Sequence, residues 1–192
     1  NKLVRRLACQ IIDDLLALSK VGRTELTLRA VDMQGVVAEV LRDLEHEKGH
    51  RTEVEVGPLP AANGDVLLLR QVWQNLIGNA FKFSRGVQAP RIEIGGEKKD
   101  GRVEYWVKDN GLGFDPRYQD KLFGVFKRLH TEAEAPGTGI GLAIVKRIVE
   151  RHGGTVRAEG APQKGAMFSF TLPRSAGDGN TTPAGGEIDR HA

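Results

Sequence analysis

A single cysteine, Cys9, stands among the 192 residues, so no intramolecular disulfide framework holds this chain together, and a reducing compartment suits it. Cys9 falls in a helical pattern and reads as a small packing residue, not a nucleophile. Long apolar runs are also missing. Stretches such as Val66-Leu67-Leu68-Leu69 end well short of the ~20 residues that cross a bilayer, so no membrane segment is expected. No secretory leader opens the chain. No Lys/Arg run accompanies the net charge of +3, which argues against nucleic acid as a partner. Internal repeats are absent. What is present is ordinary globular composition, 40% hydrophobic and 28% charged, at a length that suits one domain with an appendage. The chain opens inside a helical pattern, as a fragment of something longer would, and a cytoplasmic location is expected.

The residues from Asn75 to Phe83, Asn-Leu-Ile-Gly-Asn-Ala-Phe-Lys-Phe, organise the rest. They lie in a helical pattern over 65–84, where Val66, Leu69, Val72, Trp73, Leu76, Ile77 and Ala80 recur at three- and four-residue steps. Asn75, Asn79 and Lys82 share a different stripe. Amide oxygens are hard neutral ligands for Mg²⁺, and an ammonium is a compact partner for phosphate oxygens. Taken alone, the same stripe reads more readily as a solvated polar face.

In chain order, residues 1–21 read as a helix. Val4, Ala8, Ile11, Leu15 and Leu18 follow a coiled-coil seam, and Leu3, Leu7, Ile12 and Leu16 widen it. That width predicts a bundle or a dimer; the alternative is a helix packed on its own domain. Gly22 stops it. Residues 25–29 alternate like a short strand, and Asp32 caps a helix through Leu44. Residues 52–56 form a second strand, and Pro58, Pro60 and Asn63-Gly64 turn into the long helix. Strands over 91–97 and 102–108 are joined by Asp100-Gly101, a strong hairpin signal. Residues 110–138 read as a mobile loop with one short helix over 118–126. Thr138 caps a helix over 139–152, ended by Gly153-Gly154. Two last strands cover 155–158 and 167–172. From Ser175 the chain has almost no large apolar side chains, and 175–192 is expected to be disordered.

Three further stretches carry chemistry. Asp109-Asn110-Gly111-Leu112-Gly113-Phe114 ends a strand. A buried carboxylate there accepts a hydrogen bond from a purine amine, and the glycines let a flat base approach the main chain; an ordinary turn has the same composition. Gly137-Thr138-Gly139-Ile140-Gly141-Leu142 opens a helix, so its backbone N–H groups and the helix dipole suit phosphate. It is neither a P-loop, lacking Lys-[Ser/Thr], nor a dinucleotide loop, lacking a strand that feeds the glycines; a glycine-rich cap without ligand is the plain alternative. Leu122-Phe123-Gly124-Val125-Phe126-Lys127-Arg128-Leu129 places two phenylalanines and an arginine in the loop, a pattern that closes over a ligand or simply packs.

In this order and spacing the four stretches resemble the N, G1, F and G2 boxes of the ATP-binding catalytic domain of sensor histidine kinases, within the gyrase/chaperone/histidine-kinase/mismatch-repair ATPase superfamily. The resemblance covers roughly 25–173, and IGLAIVKRIVERHGG (140–154) and FSFTLP (168–173) are similar to the family's closing helix and last strand. It implies an α+β fold, a two-layer sandwich of the Bergerat type with a mixed sheet covered by helices on one face. Residues 1–22, with Ile12-Asp13-Asp14-Leu15-Leu16, resemble the second helix of the dimerisation and phosphotransfer hairpin, and 23–174 the catalytic domain. The wording Phe126-Lys127-Arg128-Leu129-His130 is similar to that of kinases attached to bacterial phytochromes, which makes a phytochrome-like sensor domain an expected neighbour.

Carried residue by residue, the resemblance implies that Asn79 coordinates Mg²⁺ with Asn75 nearby, that Lys82 contacts the phosphates and that Arg128 approaches the γ-phosphate. Asp109 takes the adenine amine, with Gly111 and Gly113 shaping the pocket. Gly137, Thr138, Gly139, Ile140 and Gly141 close over the triphosphate. Phe83, Leu122, Phe126, Leu142 and Thr171 line the nucleotide. ATP and Mg²⁺ are the implied cofactors, and a homodimer through residues 1–21 and a response-regulator receiver domain the implied partners.

Departures matter too. None of His46, His50, His130, His152 and His191 has the family's His-Glu/Asp-x-x-x-Pro-Leu setting, so the acceptor helix is expected before residue 1 and this chain alone is not expected to autophosphorylate. His46 and His50 lie one turn apart but lack a third metal ligand. Leu112 replaces the commoner isoleucine without changing volume. An ATPase of the gyrase and mismatch-repair type is a second reading, but those enzymes place a glutamate base where this chain has Asn75. A nucleotide-binding relay module without activity is a third, and the intact Asn79, Lys82, Asp109 and glycines speak against it.

Overall fold

The computed structural model describes residues 2–23, 25–48, 52–127 and 137–174. Within them the chain forms helices α1 (Lys2–Arg23), α2 (Met33–Lys48), α3 (Val66–Phe83) and α4 (Gly141–Arg151). The strands are β1 (Arg29–Val31), β2 (Glu53–Val56), β3 (Ala62–Gly64), β4 (Arg91–Lys99), β5 (Arg102–Asp109), β6 (Val156–Gly160) and β7 (Ala166–Pro173). Five strands make one sheet in the order β2-β4-β5-β7-β6, with β2 parallel to β4 and every other pair antiparallel. It is a mixed sheet in an α+β fold.

Period-two alternation sorts the sheet into two faces. Ile92, Ile94, Val103, Tyr105, Val107, Phe168, Phe170 and Leu172 are buried on one. There α3 lays Trp73 edge-on to Tyr105 at 5.7 Å and to Phe170 at 5.2 Å between ring centroids. Glu93 and Lys108 sit on the opposite face and pair across β4 and β5 at 3.1 Å. The hairpin between these strands follows its sequence signal: Asp100 (φ 49°) and Gly101 (φ 75°) are both left-handed, as a two-residue hairpin turn requires.

The long helix keeps its expected bounds. Asp65 caps α3, its Oδ1 accepting from the N–H groups of Leu67 at 3.0 Å and Leu68 at 3.2 Å, and Ser84 closes it. Asp32 also caps as expected, accepting from the N–H of Gly35 at 3.2 Å.

Four expectations need correction. Residues 25–28 are not strand; β1 starts at Arg29 because it pairs antiparallel with β3. That pairing also makes Asn63-Gly64 part of a strand instead of a turn. The segment expected as a helix over 118–126 is a 3₁₀ turn, Pro116–Lys121, started by the Asp115 side chain accepting from the Arg117 N–H at 3.0 Å. Thr138 does not cap α4: Ile140 holds that position without a side-chain cap bond.

Helix α1 lies along α4. Ile11, Ala17 and Leu18 are half-buried, Val21 is buried, and the Arg151 guanidinium donates to the Val21 carbonyl. Ile12, Leu15 and Leu16 point away, 56%, 40% and 53% exposed. One stripe of the helix therefore packs on its own domain, and a second apolar stripe stays open. No described helix is long and apolar enough to cross a membrane. Residues 175–192, expected to be disordered, lie outside the described residues.

Candidate functional site

A cleft of about 290 Å³ opens where the C-terminal half of α3 meets the loop before α4 and the end of β5. Asn75, Asn79 and Lys82 line it from one stripe of α3, together with Phe83. Their spacing of four and three puts them there, since the buried stripe of the same helix is taken up by the core. The Asn75 Nδ2 donates to the Gln71 carbonyl at 2.9 Å. Its Oδ1 faces Gly141 so closely that a Cβ on the glycine would lie 2.5 Å away.

From the other side come Gly137, Thr138, Gly139 and Gly141, with Leu142 in the first turn of α4. A Cβ on Gly137 would lie 3.3 Å from the Lys82 Nζ, and Gly139 takes φ 73°, open to glycine at little cost. Two amides, an ammonium and the N-terminus of an eleven-residue helix thus converge on one space. That donor set fits an anion of several charges and a hard cation bound to it.

Asp109 ends β5 and is 5% exposed. Burial pushes its carboxyl up to about 6, while the backbone N–H groups of Gly111 and Ala166 pull it back. The Gly111 bond is 2.8 Å. This is an acceptor in an apolar wall, beside Phe114 and Phe168, whose rings lie 6.1 Å apart. It suits the exocyclic amine of a purine. Close backbone contacts hold the segment: a Cβ on Gly111 would sit 2.4 Å from the Phe83 carbonyl oxygen, and one on Gly113 1.9 Å from that of Ala161. Asn110 has a structural task, accepting from the Arg91 N–H at 2.8 Å and donating to the Ala89 carbonyl at 2.8 Å.

Of the expected residues, Asn75, Asn79, Lys82, Phe83, Asp109, Gly113, Leu122, Gly137, Thr138, Gly139, Gly141 and Leu142 meet at the cleft. Gly111 supports it from behind, and Ile140 is fully buried beneath the glycine loop. Two do not arrive. Thr171 has the strand parity of Met167 and Ser169, opposite to Phe168, so it faces away and accepts from the Thr155 N–H at 3.1 Å. Phe126 is 56% exposed, at φ 59°. It is Phe123 that packs inward, edge-on to Phe168 at 6.4 Å. Arg128, expected at the γ-phosphate, lies outside the described residues.

Other lining residues carried no signal of their own. Phe168 reads simply as a strand residue, Ala166 lies just before the expected strand, and Lys127 enters only as part of the stretch 122–129. Gln10 and Asp14 reach the cleft from α1, far away in sequence. Among the described residues no three His, Cys, Asp or Glu side chains group as metal ligands. A divalent ion here would rest on amides and on the phosphates it accompanies.

The sequence profile of the histidine kinase-, DNA gyrase B- and HSP90-like ATPases matches residues 64–176. The chain is 42% identical over 166 residues to the phytochrome-like protein Cph1 of Synechocystis, covering 85% of this chain and 22% of that protein. It is 39% identical over 164 residues to cyanobacterial phytochrome A of Nostoc, covering 85% of this chain and 21% of that protein. The chain therefore spans about a fifth of the length of these relatives. Among solved structures, full-length ShkA in complex with AMPPNP superposes with a TM-score of 0.71 at 34% identity, over 86% of this chain and 35% of that one. The mycobacterial sensor histidine kinase MprB gives 0.67 at 30% identity, over 77% of this chain and 99% of that one. The chain belongs to the histidine kinase-, DNA gyrase B- and HSP90-like ATPase family, as the ATP-binding catalytic domain of a histidine kinase.

Proposed function

We propose that this chain is the catalytic module of a two-component sensor kinase that passes the γ-phosphoryl group of ATP to a histidine on a dimerisation hairpin. The observation that carries the reading is one cleft holding two kinds of recognition. A buried carboxylate, Asp109, answers the adenine amine, and the stripe Asn75, Asn79 and Lys82 faces the glycine loop for the triphosphate. Asn79, with Asn75 beside it, would hold Mg²⁺, which supplies charge neutralisation on the phosphates when bound. Lys82 and the N–H groups opening α4 orient the chain of phosphates, and Leu122 with Phe123 covers it against water. In the transfer, the bond between the γ-phosphorus and the bridging oxygen breaks, a phosphorus–nitrogen bond forms on an imidazole, and ADP leaves.

No histidine of this chain has an acceptor's neighbours, so the imidazole belongs to the other helix of the hairpin to which α1 is assigned. The exposed stripe Ile12, Leu15 and Leu16 supports α1 as a hairpin and dimer helix. From the histidine the phosphoryl group would pass to an aspartate of a response regulator docked near α1. The relatives named as phytochromes support a phytochrome-like sensor domain upstream. Position 75 favours a kinase over a hydrolase, because an asparagine there gives no carboxylate to activate water.

The test is transfer from γ-labelled ATP to a separately supplied acceptor-helix dimer carrying the histidine. Acid-labile, base-stable label on the acceptor supports the reading. Release of free phosphate without labelled acceptor would make the chain a simple ATPase.

A further inference from the structure

Helix α1 contributes more than a packing face to the cleft. Gln10 and Asp14, one helical turn apart, form part of its wall, which Lys82 and Lys127 also line. The Thr138 hydroxyl, in the middle of the glycine-rich loop, donates to the Asp14 Oδ2 at 2.5 Å. The same hydroxyl oxygen accepts from the Ile140 N–H at 3.3 Å, so the carboxylate is tied through it to the start of α4. A carboxylate therefore takes the Thr138 hydroxyl of the glycine-rich loop, a donor that would equally suit a phosphate oxygen.

Asp14 is not what seats the helix. Ile11, Ala17, Leu18 and Val21 pack it down, and Arg151 anchors the Val21 carbonyl. From Thr138 to Arg151, α1 follows α4 in the same direction, so seating α1 brings Asp14 to the loop. The opposite stripe of Ile12, Leu15 and Leu16 stays in solvent, which gives the helix a second surface to bury elsewhere.

We propose that docked α1 is an autoinhibitory contact in which Asp14 acts as a stand-in for phosphate. Its negative charge competes with the outer phosphates of the nucleotide at the glycine loop, and release of α1 from α4 restores full affinity. This rests on the nucleotide reading of the cleft. It makes nucleotide affinity depend on where the hairpin helix is seated.

The test is calorimetric titration of the full chain and its Asp14→Asn variant with Mg-ATP and with adenosine. The substitution keeps the side chain's size and removes its charge. Mg-ATP should bind about 3- to 10-fold tighter in the variant, the scale of one partly screened charge near the site, with adenosine unchanged. Leu18→Ser, which loosens the seat of α1 without touching the cleft, should shift Mg-ATP the same way. Unchanged Mg-ATP affinity in Asp14→Asn overturns the proposal. Weaker Mg-ATP binding also overturns it, and would make Asp14 a ligand of the metal. Failure of the wild-type chain to bind either compound would instead strike at the nucleotide reading itself.

Discussion

Gly141 and Asn75 touch across the cleft, the glycine so near that a Cβ on it would lie 2.5 Å from the asparagine Oδ1. The contact sets how close the first turn of α4 comes to the α3 stripe, the gap in which the proposed reading seats a triphosphate. Alanine is the better helix former by about 1 kcal/mol. Gly141→Ala should therefore keep or raise helicity by circular dichroism while weakening Mg-ATP binding tenfold or more. Retained affinity would show that the spacing between α3 and α4 does not matter for binding.

Asp109 combines a functional charge with a stability penalty. Its folded-state carboxyl is raised to about 6 from 3.8 by burial. Between those values the folded chain holds more protons at this site than the unfolded one, so the site's contribution to stability falls as pH rises from about 4 to 6 and is level above. At about 1.4 kcal/mol per pH unit the penalty reaches at most about 3 kcal/mol near neutrality. Asp109→Asn should thus melt at a higher temperature than wild type at pH 7.5 and lose that advantage near pH 4. Adenosine affinity of the wild type should grow as pH rises through 6, where the carboxylate forms, and the variant should show no such rise.

His152 ties the end of α4 to the start of α3. Its Nε2 accepts from the Asp65 N–H at 3.0 Å, and its Nδ1 lies 2.7 Å from the Ile148 carbonyl. A carbonyl only accepts and an N–H only donates, so the ring is neutral with its proton on Nδ1. His152→Phe leaves the half-buried Asp65 N–H unpaired and should lower unfolding free energy by about 1–2 kcal/mol in urea. Mg-ATP affinity of the folded fraction should be unchanged, since the residue is remote from the cleft.

Local signals in the sequence carried over well. The α3 stripe, the Asp32 cap and the Asp100-Gly101 hairpin each follow from spacing or from one residue's local preference. What was not legible is non-local. The alternation over 25–29 misplaces β1, because Arg29–Val31 pair only where β3 lies opposite. Thr138 looks like a helix cap, yet α4 starts only at Gly141, and the Thr138 hydroxyl bridges Asp14, 124 residues away, to the Ile140 N–H. Thr171 fails as a nucleotide contact through strand parity alone, set by the register of β7 on β5. Gly165, at φ 83°, looks like any turn glycine, yet a Cβ on it would lie 1.9 Å from the Asp109 carbonyl oxygen.

That contact makes Gly165 a support for the base pocket. Gly165→Ala should strain the turn and push the β5 end aside, costing both stability and adenosine affinity, read by thermal melting and by titration. Gly86→Ala, at a glycine with open space around its Cβ position, serves as the control and should change neither.

On the proposed function, one cleft reads adenine through Asp109 and Mg-triphosphate through Asn79. Calorimetric titration with ATP, with and without Mg²⁺, tests it on the wild-type chain, Asp109→Asn and Asn79→Ala. Wild type should bind, Asp109→Asn should lose affinity for ATP whether or not the metal is present, and Asn79→Ala should chiefly lose the gain brought by Mg²⁺. A folded wild-type chain that binds no ATP, or two variants that bind as wild type does, would contradict it.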